Sequence, residues 1–255
     1  METYPIIFSS PMIRRLLDSS KTQTRRLAWS GPSWPQYLAS EHLEDYELRG
    51  WNCEQQCAGV FVVRKPTIRQ KVKPGELLWV RERFYAGQKH GMVVIGVEKE
   101  PITPQTHVVY ATDEDGVEPN AKWKPSIHMP RWTSRLTLEV TDVRLQRLQD
   151  ISEEDAIAEG ASARPNCFGY GRHAQGWSMD WSRVGTAVKG CTLSEADIAL
   201  GSARAAFGSF INSLHDNDWY LQNMRSLWDS NPEVIALTFR VHHCNVDEFI
   251  EQKTA

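Results

Sequence analysis

The sequence lacks the features that mark secreted and membrane-spanning proteins. No run of apolar residues approaches the length needed to cross a bilayer, and the opening segment METYPIIFSS carries no basic stretch of the kind that begins a signal peptide. The five cysteines are an odd number and lie scattered along the chain. We therefore expect a cytoplasmic protein with free thiols that does not associate with membranes.

Motifs for metals and phosphate loops are missing as well. Cys53 and Cys57 form an isolated C-x₃-C pair, and neighbouring side chains in the run His242, His243, Cys244 point to opposite faces of a strand. The sequence has no G-x-x-x-x-G-K-[ST] loop, no G-x-G-x-x-G loop after a strand and no G-x-S-x-G elbow. These absences predict a protein that folds and acts without metal, disulfide or organic cofactor.

The composition is that of a globular protein with a slight acidic excess. The chain of 255 residues is 41% hydrophobic and 24% charged, with a formal net charge of −3. This charge gives no general reason to bind a large nucleic acid and favours a small substrate, although a local basic patch can still attract one. Ten tryptophans are many for this length, and any exposed ones are suited to stack on bases or sugars.

Hydrophobic periodicity predicts many short strands and a few short helices. We expect strands at 5–10, 59–64, 77–80, 91–98, 107–112, 135–148 and 232–241, and helices at 10–20, 150–160 and 203–215. Ser10 can cap the first helix, and Ser152 can cap the second, which has an acidic first turn and can end at Gly160. A phase change in the alternation of 135–148 predicts a bulge near Thr141–Asp142. Without a regular βαβ rhythm, these elements indicate an α+β fold around a small mixed β-barrel with flanking short helices. The irregular stretches at 28–58 and 161–200 are interpreted as insertions into one domain, 1–255.

Two charged stretches can each be interpreted as structural or as part of a binding site. In VRERF (80–84), Arg81 and Glu82 end a strand, where they either face solvent on a sheet edge or line the wall of a pocket. In WKPSIHMPRWTSR (123–135), Arg131 and Trp132 either belong to a loop packed under the barrel or contact phosphate and stack on a base. Trp79, in the preceding strand, is a further candidate for base stacking.

The stretch SSKTQTRRL (19–27) is ambiguous when taken alone. Lysine and arginine after a short helix complement its dipole, so that a solvated basic turn is the simpler interpretation. The order of the surrounding elements favours a site instead. A strand, a short helix and S-x-K-x-x-T-x-R are followed by the turn and strand KPGELLWV and by LQDISEEDAIAEG.

This arrangement resembles the ASCH domains of the PUA-like superfamily. Their signature G-x-K-x-x-E-x-R follows the first helix, with Ser19 here at the glycine position, Lys21 at the lysine, Thr24 at the glutamate and Arg26 at the arginine. The resemblance covers about half of the chain, the half outside the insertions. As a whole the chain is similar to the longer ASCH-type proteins of phages and prophages, which carry insertions between these elements.

One branch of the superfamily, the small bacterial N4-acetylcytidine amidohydrolases, also has threonine in the run K-T-x-T-x-R. Its pattern L-T-E-x-x-A-x-x-E resembles ISEEDAIAE, which ends at Glu159. The resemblance implies hydrolysis of an acylated nucleoside, with Thr24 as nucleophile, Lys21 as its base and Glu159 orienting the lysine or carrying protons. Arg26 then stabilises an oxyanion or binds an acidic group. The alternative is a PUA-like module that binds RNA or a modified base without amidase activity, or a ribonuclease.

Overall fold

The computed structural model describes residues 2–30, 65–90, 93–96, 102–113, 122–165, 175–181, 200–215 and 226–254. The strand predicted at 59–64 lies outside these residues, as does most of the stretch predicted as an insertion at 28–58. None of the described helices has the length and apolar character needed to cross a membrane.

Strands outnumber helices in these parts of the chain. The strands are β1 (Thr3–Ile7), β2 (Gln23–Leu27), β3 (Trp29–Ser30), β4 (Lys65–Pro66), β5 (Leu77–Arg81), β6 (Phe84–His90), β7 (Val93–Gly96), β8 (His107–Tyr110), β9 (Thr137–Arg147), β10 (Ser162–Pro165), β11 (Gln175–Ser178) and β12 (Glu233–His242). The helices are α1 (Ser10–Leu17), α2 (Glu153–Ala158), α3 (Ala203–His215), α4 (Leu227–Ser230) and α5 (Val246–Thr254). The predicted α+β class is confirmed.

A five-stranded mixed sheet organises the fold. Its strand order is β1-β5-β9-β12-β2, with β1 and β5 parallel and the remaining neighbours antiparallel. The strands β1 and β2 are its two edges, so that within the described residues the sheet is open and the predicted closed barrel is wrong. A separate sheet of β7, β6 and β8, and the short pairs β3–β4 and β10–β11, accompany it.

One face of the large sheet carries the main hydrophobic core. Tyr4 and Ile6 of β1 lie beside Leu78 and Val80 of β5, and all four side chains are buried. Farther across the sheet the same core includes side chains of β9, β12 and α1. The helix α1 begins one residue earlier than a Ser10 cap requires, since Ser9 is its N-cap residue.

The bulge predicted in β9 is confirmed. Asp142 pairs with Thr238 and Val140 with Phe239, so that Thr141 is an extra residue opposite β12. An extra residue lets the alternation restart, which returns Val143 to the core side after Val140. The sequence predicts this bulge because apolar residues alternate on both sides of it: Leu136, Leu138 and Val140 before it, and Val143 and Leu145 after it.

Two short strands lie within the stretch 161–200, whose composition predicts a mostly irregular backbone. Its described residues form the antiparallel pair β10–β11, and Trp177 makes a further bridge to Leu200. Met179 is buried in the main core. Residues 162–165 and 175–178 are therefore strands within a stretch predicted to be mostly irregular, because packing of a few apolar side chains outweighs a Gly- and Ser-rich composition.

Candidate functional site

The turn after α1 places Lys21 beside α2. Ser19 has φ of 58°, in the left-handed region that favours glycine, and this residue reverses the chain. The amide of Lys21 then donates to the carbonyl of Arg15 at 2.9 Å, and the amide of Thr22 donates to Ala158 at 2.9 Å. The basic stretch is thus anchored to both helices before β2 begins.

The strand β2 sends its side chains to two sides of the sheet. Gln23 and Arg25 share one face, while Thr24 and Arg26 share the other. Thr24 lies opposite Leu237 and Arg26 opposite Ile235, two buried residues of the core. The sequence predicts a turn rather than a strand here, because two adjacent arginines hide the period-2 pattern of a strand whose polar residues are buried.

Lys21 and Glu159 form a buried ion pair. The Lys21 Nζ donates to Glu159 Oε2 at 2.7 Å and to the Glu159 backbone carbonyl at 2.6 Å, and the two residues are 1% and 3% exposed. Burial lowers the pKa of Lys21 below its usual value. The Glu159 carboxylate opposes this shift, while the charges of Arg26 and Arg25 add to it.

Helix α2 holds Glu159 at its C-terminal end. The Ser152 side chain caps the helix by accepting from the Asp155 amide at 3.0 Å, and Glu159 is the C-cap residue. Gly160 follows with φ of 115°, so the chain leaves the helix directly after the carboxylate. The predicted cap at Ser152 and helix end at Gly160 are confirmed.

Arg25, which is not a position of the family motif, also belongs to this cluster. Its guanidinium donates to Glu159 Oε1 at 3.2 Å and to Asp155 Oδ2 at 2.5 Å, and Gln23 Oε1 accepts from it at 2.6 Å. Although burial alone raises the pKa of Asp155, the Gln23 hydrogen bond and the charges of Arg25 and Arg144 outweigh it and lower that pKa. Recognising β2 as a strand would have revealed Arg25, since Gln23 and Arg25 are two residues apart and share one face of it.

Arg26 crosses the gap between the two edge strands. Its Nη2 donates to the Ile7 carbonyl at the end of β1 at 2.6 Å, and its guanidinium lies 5.0 Å from the centre of the Phe8 ring. The Lys21 Nζ lies 5.7 Å from the same ring. Burial and the charge of Arg69, opposed by Glu159, lower the pKa of Arg26 to about 10.

Thr24 lies between these two cations along the chain. It is 3% exposed and shares the core-facing side of β2 with Arg26. Within the part of the chain that the structure describes, its hydroxyl makes no hydrogen bond to Lys21, Glu159 or any other residue. The structure therefore brings Lys21 and Glu159 into contact, holds Arg26 beside them on the Phe8 ring, and leaves the Thr24 hydroxyl without a bonded partner.

The candidate binding residues of β5 lie elsewhere. Trp79 is buried with Leu77 and Val246, on the side of the sheet that α5 covers. The Arg81 guanidinium lies 5.0 Å from the Trp79 ring and donates to the backbone carbonyls of Ile127 and Met129. Both side chains are thus engaged in packing and in holding a neighbouring turn.

Glu82 belongs to a second buried ion cluster. Arg135 grips its carboxylate with two hydrogen bonds, Nε to Oε1 at 2.9 Å and Nη2 to Oε2 at 3.0 Å, while Thr112 donates to Oε2 at 3.1 Å. Arg135 also contacts Asp113 and stacks on the Tyr110 ring at 4.0 Å. Burial, which outweighs the contacts with Arg135, raises the pKa of Glu82.

Arg131 and Trp132 lie near the C-terminal helix. Arg131 forms an exposed ion pair with Asp247 at 2.6 Å, and Trp132 is 38% exposed. Trp132 lines a surface pocket of about 410 Å³ together with Tyr110, Arg135 and His243. This pocket does not include Lys21, Thr24 or Glu159.

No metal centre is visible in the parts of the chain that the structure describes: no group of three or more His, Cys, Asp or Glu side chains is arranged to hold an ion there. Of the five cysteines only Cys244 lies in these parts, and its thiol is free.

No family model, curated protein or solved structure matches this chain. What the site can do is therefore argued from its own chemistry. A buried amine beside a carboxylate can exchange protons with a ligand, and the adjacent arginine can hold negative charge.

Proposed function

We propose that this protein hydrolyses an amide bond of an acylated nucleoside such as N4-acetylcytidine. The observation that carries the proposal is the buried Lys21–Glu159 pair, whose amine nitrogen lies 2.7 Å from the carboxylate. A lysine that is kept out of water has a lowered pKa and can reach the neutral form that a general base requires.

Each residue of the cluster has a role in this scheme. Lys21 takes the proton of the Thr24 hydroxyl as that oxygen attacks the acyl carbon, and Glu159 orients the amine and shares its proton. Arg26 stabilises the negative charge that develops on the acyl oxygen. The C–N bond then breaks, and the nucleoside leaves with the proton that Lys21 took from Thr24. Water attacks the acyl–threonine ester while Lys21 takes one of its protons, and Lys21 returns that proton to the Thr24 oxygen as the acid departs.

The resemblance to the PUA-like ASCH domains supports this proposal at one further point. Ser19 stands at the position where the family signature has glycine, and its φ of 58° is the conformation for which glycine is suited. The same turn delivers Lys21 to α2. Phage or prophage members of the family are the relatives that we propose for the chain as a whole.

The test is turnover of N4-acetylcytidine, followed by chromatography of cytidine and by an assay for acetate. We expect the wild-type protein to release both products in equal amounts and Thr24→Val to release neither. Thr22→Val is the matched control, because Thr22 is an exposed threonine in the same stretch. Equal turnover by wild type and Thr24→Val contradicts the proposed nucleophile.

A second candidate function is binding of RNA or a modified base without catalysis. The observation in its favour is that the Thr24 hydroxyl makes no hydrogen bond to Lys21 within the described residues. Catalytic hydrogen bonds often tighten only when substrate is present, so the amidase proposal requires that this bond form in the substrate complex.

Binding and turnover separate the two candidates. If the protein only binds, Thr24→Val retains most of the affinity for N4-acetylcytidine or a short RNA, and no cytidine forms with the wild type. If it is a hydrolase, wild type forms cytidine and Thr24→Val binds the substrate without cleaving it.

A further inference from the structure

Arg26 has a donor that the protein does not use. Its Nη2 is bonded to the Ile7 carbonyl, but its Nε is buried and, among the residues that the structure describes, has no hydrogen-bond partner. A buried charged donor without a partner is costly, and such groups in native proteins call for an explanation such as an absent ion or ligand. This nitrogen lies at the gap between the edge strands β1 and β2.

Arg69 is a second arginine beside it. It belongs to a 3-10 turn, Ile68–Lys71, that is fastened to the end of β2, because Thr67 donates to the carbonyls of Leu27 and Ala28 at 3.0 and 2.9 Å. The Arg69 side chain is half-buried and, within the described residues, forms no hydrogen bond and no ion pair.

The two guanidinium groups repel each other. The turn that carries Arg69 is hydrogen-bonded to Leu27 and Ala28, the two residues directly after Arg26, and the charge of Arg69 lowers the pKa of Arg26. In the described chain neither arginine forms an ion pair with a carboxylate. Farther along the gap, Glu159 and Asp155 are already bound by Lys21 and Arg25. The gap therefore has a surplus of positive charge at the Arg26 end.

We propose that Arg26 and Arg69 bind a phosphoryl group of the ligand, so that the substrate is a nucleotide or a nucleotide unit of RNA rather than a free nucleoside. Guanidinium groups match the oxygens of a phosphoryl group in geometry and charge, and the ligand would satisfy the Arg26 Nε. The choice of a nucleotide substrate rests on the proposed function, whereas the anion site itself does not.

The position of this anion site is compatible with a reacting group near Thr24. Two residues along a strand span about 7 Å, so this is the distance between the backbone at Thr24 and the backbone at Arg26, and one small molecule can span it. The Phe8 ring lies between the two ends of the gap, within 6 Å of both Lys21 and Arg26. A ligand that places its phosphoryl group at Arg69 thus extends past Phe8 toward Lys21.

The experiment measures binding of inorganic phosphate, cytidine, cytidine 5′-monophosphate and a short cytidine oligonucleotide without terminal phosphates by titration calorimetry at low salt. We expect the monophosphate to bind more tightly than cytidine. Arg69→Gln should weaken its binding by about 10-fold to 100-fold, the usual range for one charge-assisted hydrogen bond. Lys71→Gln removes the same charge from the same turn and should have a much smaller effect.

The outcomes separate this inference from the amidase proposal. Arg69-dependent binding of the monophosphate without any amide hydrolysis supports the anion site and contradicts the proposed function. Arg69-dependent binding of the oligonucleotide alone assigns the phosphoryl group to an RNA strand. Monophosphate and oligonucleotide binding no tighter than that of cytidine, or an equal loss in Arg69→Gln and Lys71→Gln, overturns the anion site.

Discussion

Two buried glutamates, Glu159 and Glu82, show how similar ion pairs serve different purposes. Both are nearly inaccessible, at 3% and 2% exposure, and both oxygens of each carboxylate accept hydrogen bonds from cations. Glu82 accepts two hydrogen bonds from the guanidinium of Arg135, and an arginine does not lose its proton in proteins. Glu159 is shared between an arginine and a lysine, and a buried lysine can lose its proton.

The balance of charge differs as well. Arg135 is the one cation bonded to Glu82 in the described structure, and it also contacts Asp113, so carboxylates are in excess there. Around Glu159 the cations Lys21, Arg25 and Arg26 are in excess. The Glu82 cluster thus has the composition of a structural ion pair, while the Glu159 cluster has the buried amine that the proposed hydrolysis requires and the excess of cations that the proposed anion site requires.

The largest expected effect is on turnover. Lys21→Met removes the amine but retains most of the side-chain volume, and we expect kcat for N4-acetylcytidine to fall by about 10²-fold to 10⁴-fold, as for loss of a general base. Arg135→Met should leave turnover per folded molecule unchanged. Steady-state kinetics on both variants, with the exposed Lys71→Met as control, measure this difference. Equal losses for Lys21→Met and Arg135→Met would contradict the distinction between the two clusters.

The second prediction concerns stability. Arg135→Met leaves the Glu82 carboxylate buried with a single hydrogen bond from Thr112, so the free energy of unfolding should fall by about 3–5 kcal/mol. Lys21→Met should cost less, because Arg25 still pairs with Glu159. Urea denaturation followed by circular dichroism gives both values.

The control for stability is an exposed pair. Lys253 contacts Glu139 at 2.6 Å and is 44% exposed at its side chain, so Lys253→Met should cost no more than about 1 kcal/mol. A loss for Arg135→Met as small as that of Lys253→Met would show that Glu82 is not held by this pair.

The sequence predicted one of these clusters much better than the other. Lys21 and Glu159 were selected through a family motif, and α2 was predicted from Ser152, its acidic first turn and Gly160. The partner of Glu82 was not predicted. Arg135 lies 53 residues away along the chain, and such a pairing depends on the register of β5 and β9.

Local signals explain which elements were predicted. Alternation was strong enough to reveal β5, β9 and β12, and even the bulge at Thr141. The strand β2 was missed because its buried residues Gln23, Thr24 and Arg25 are polar. Hydrogen bonds of Gln23 and ion pairs of Arg25 with other parts of the fold stabilise the burial of these two side chains. The C-terminal helix α5 was missed as well, since its apolar face is short: Val246 is buried, and Phe249 and Ile250 are partly buried against the cluster that contains Trp79.

The third prediction uses pH to sharpen the comparison. Lys21 acts as a base only when neutral, so turnover should rise with pH up to its lowered pKa and then level off. The Glu159 carboxylate stabilises the ammonium form. Glu159→Gln should therefore lower the pKa of Lys21 further and move the rising limb to lower pH, whereas Glu82→Gln should leave it in place.

Profiles of kcat/KM against pH measure the position of this limb. Labelling of the Lys21 amine with an acylating reagent at several pH values, read by mass spectrometry, reports the same pKa without requiring turnover. A shift of the limb to higher pH in Glu159→Gln, or an equal shift in Glu82→Gln, would contradict the assignment of Lys21 as the base.

The smallest expected effect tests whether α2 matters to the site beyond carrying Glu159. Two helices have equivalent caps: the Ser152 side chain accepts from the Asp155 amide in α2, and the Ser226 side chain accepts from the Asp229 amide in α4. Ser152→Ala and Ser226→Ala should each lower the free energy of unfolding by about 1 kcal/mol.

Fraying of α2 also loosens Asp155 and, through Arg25, the carboxylate of Glu159. Turnover should therefore fall modestly in Ser152→Ala and remain at the wild-type level in Ser226→Ala, as measured by kinetics at a temperature where both variants are folded. Equal turnover in the two variants would mean that Glu159 is held by its ion pairs alone.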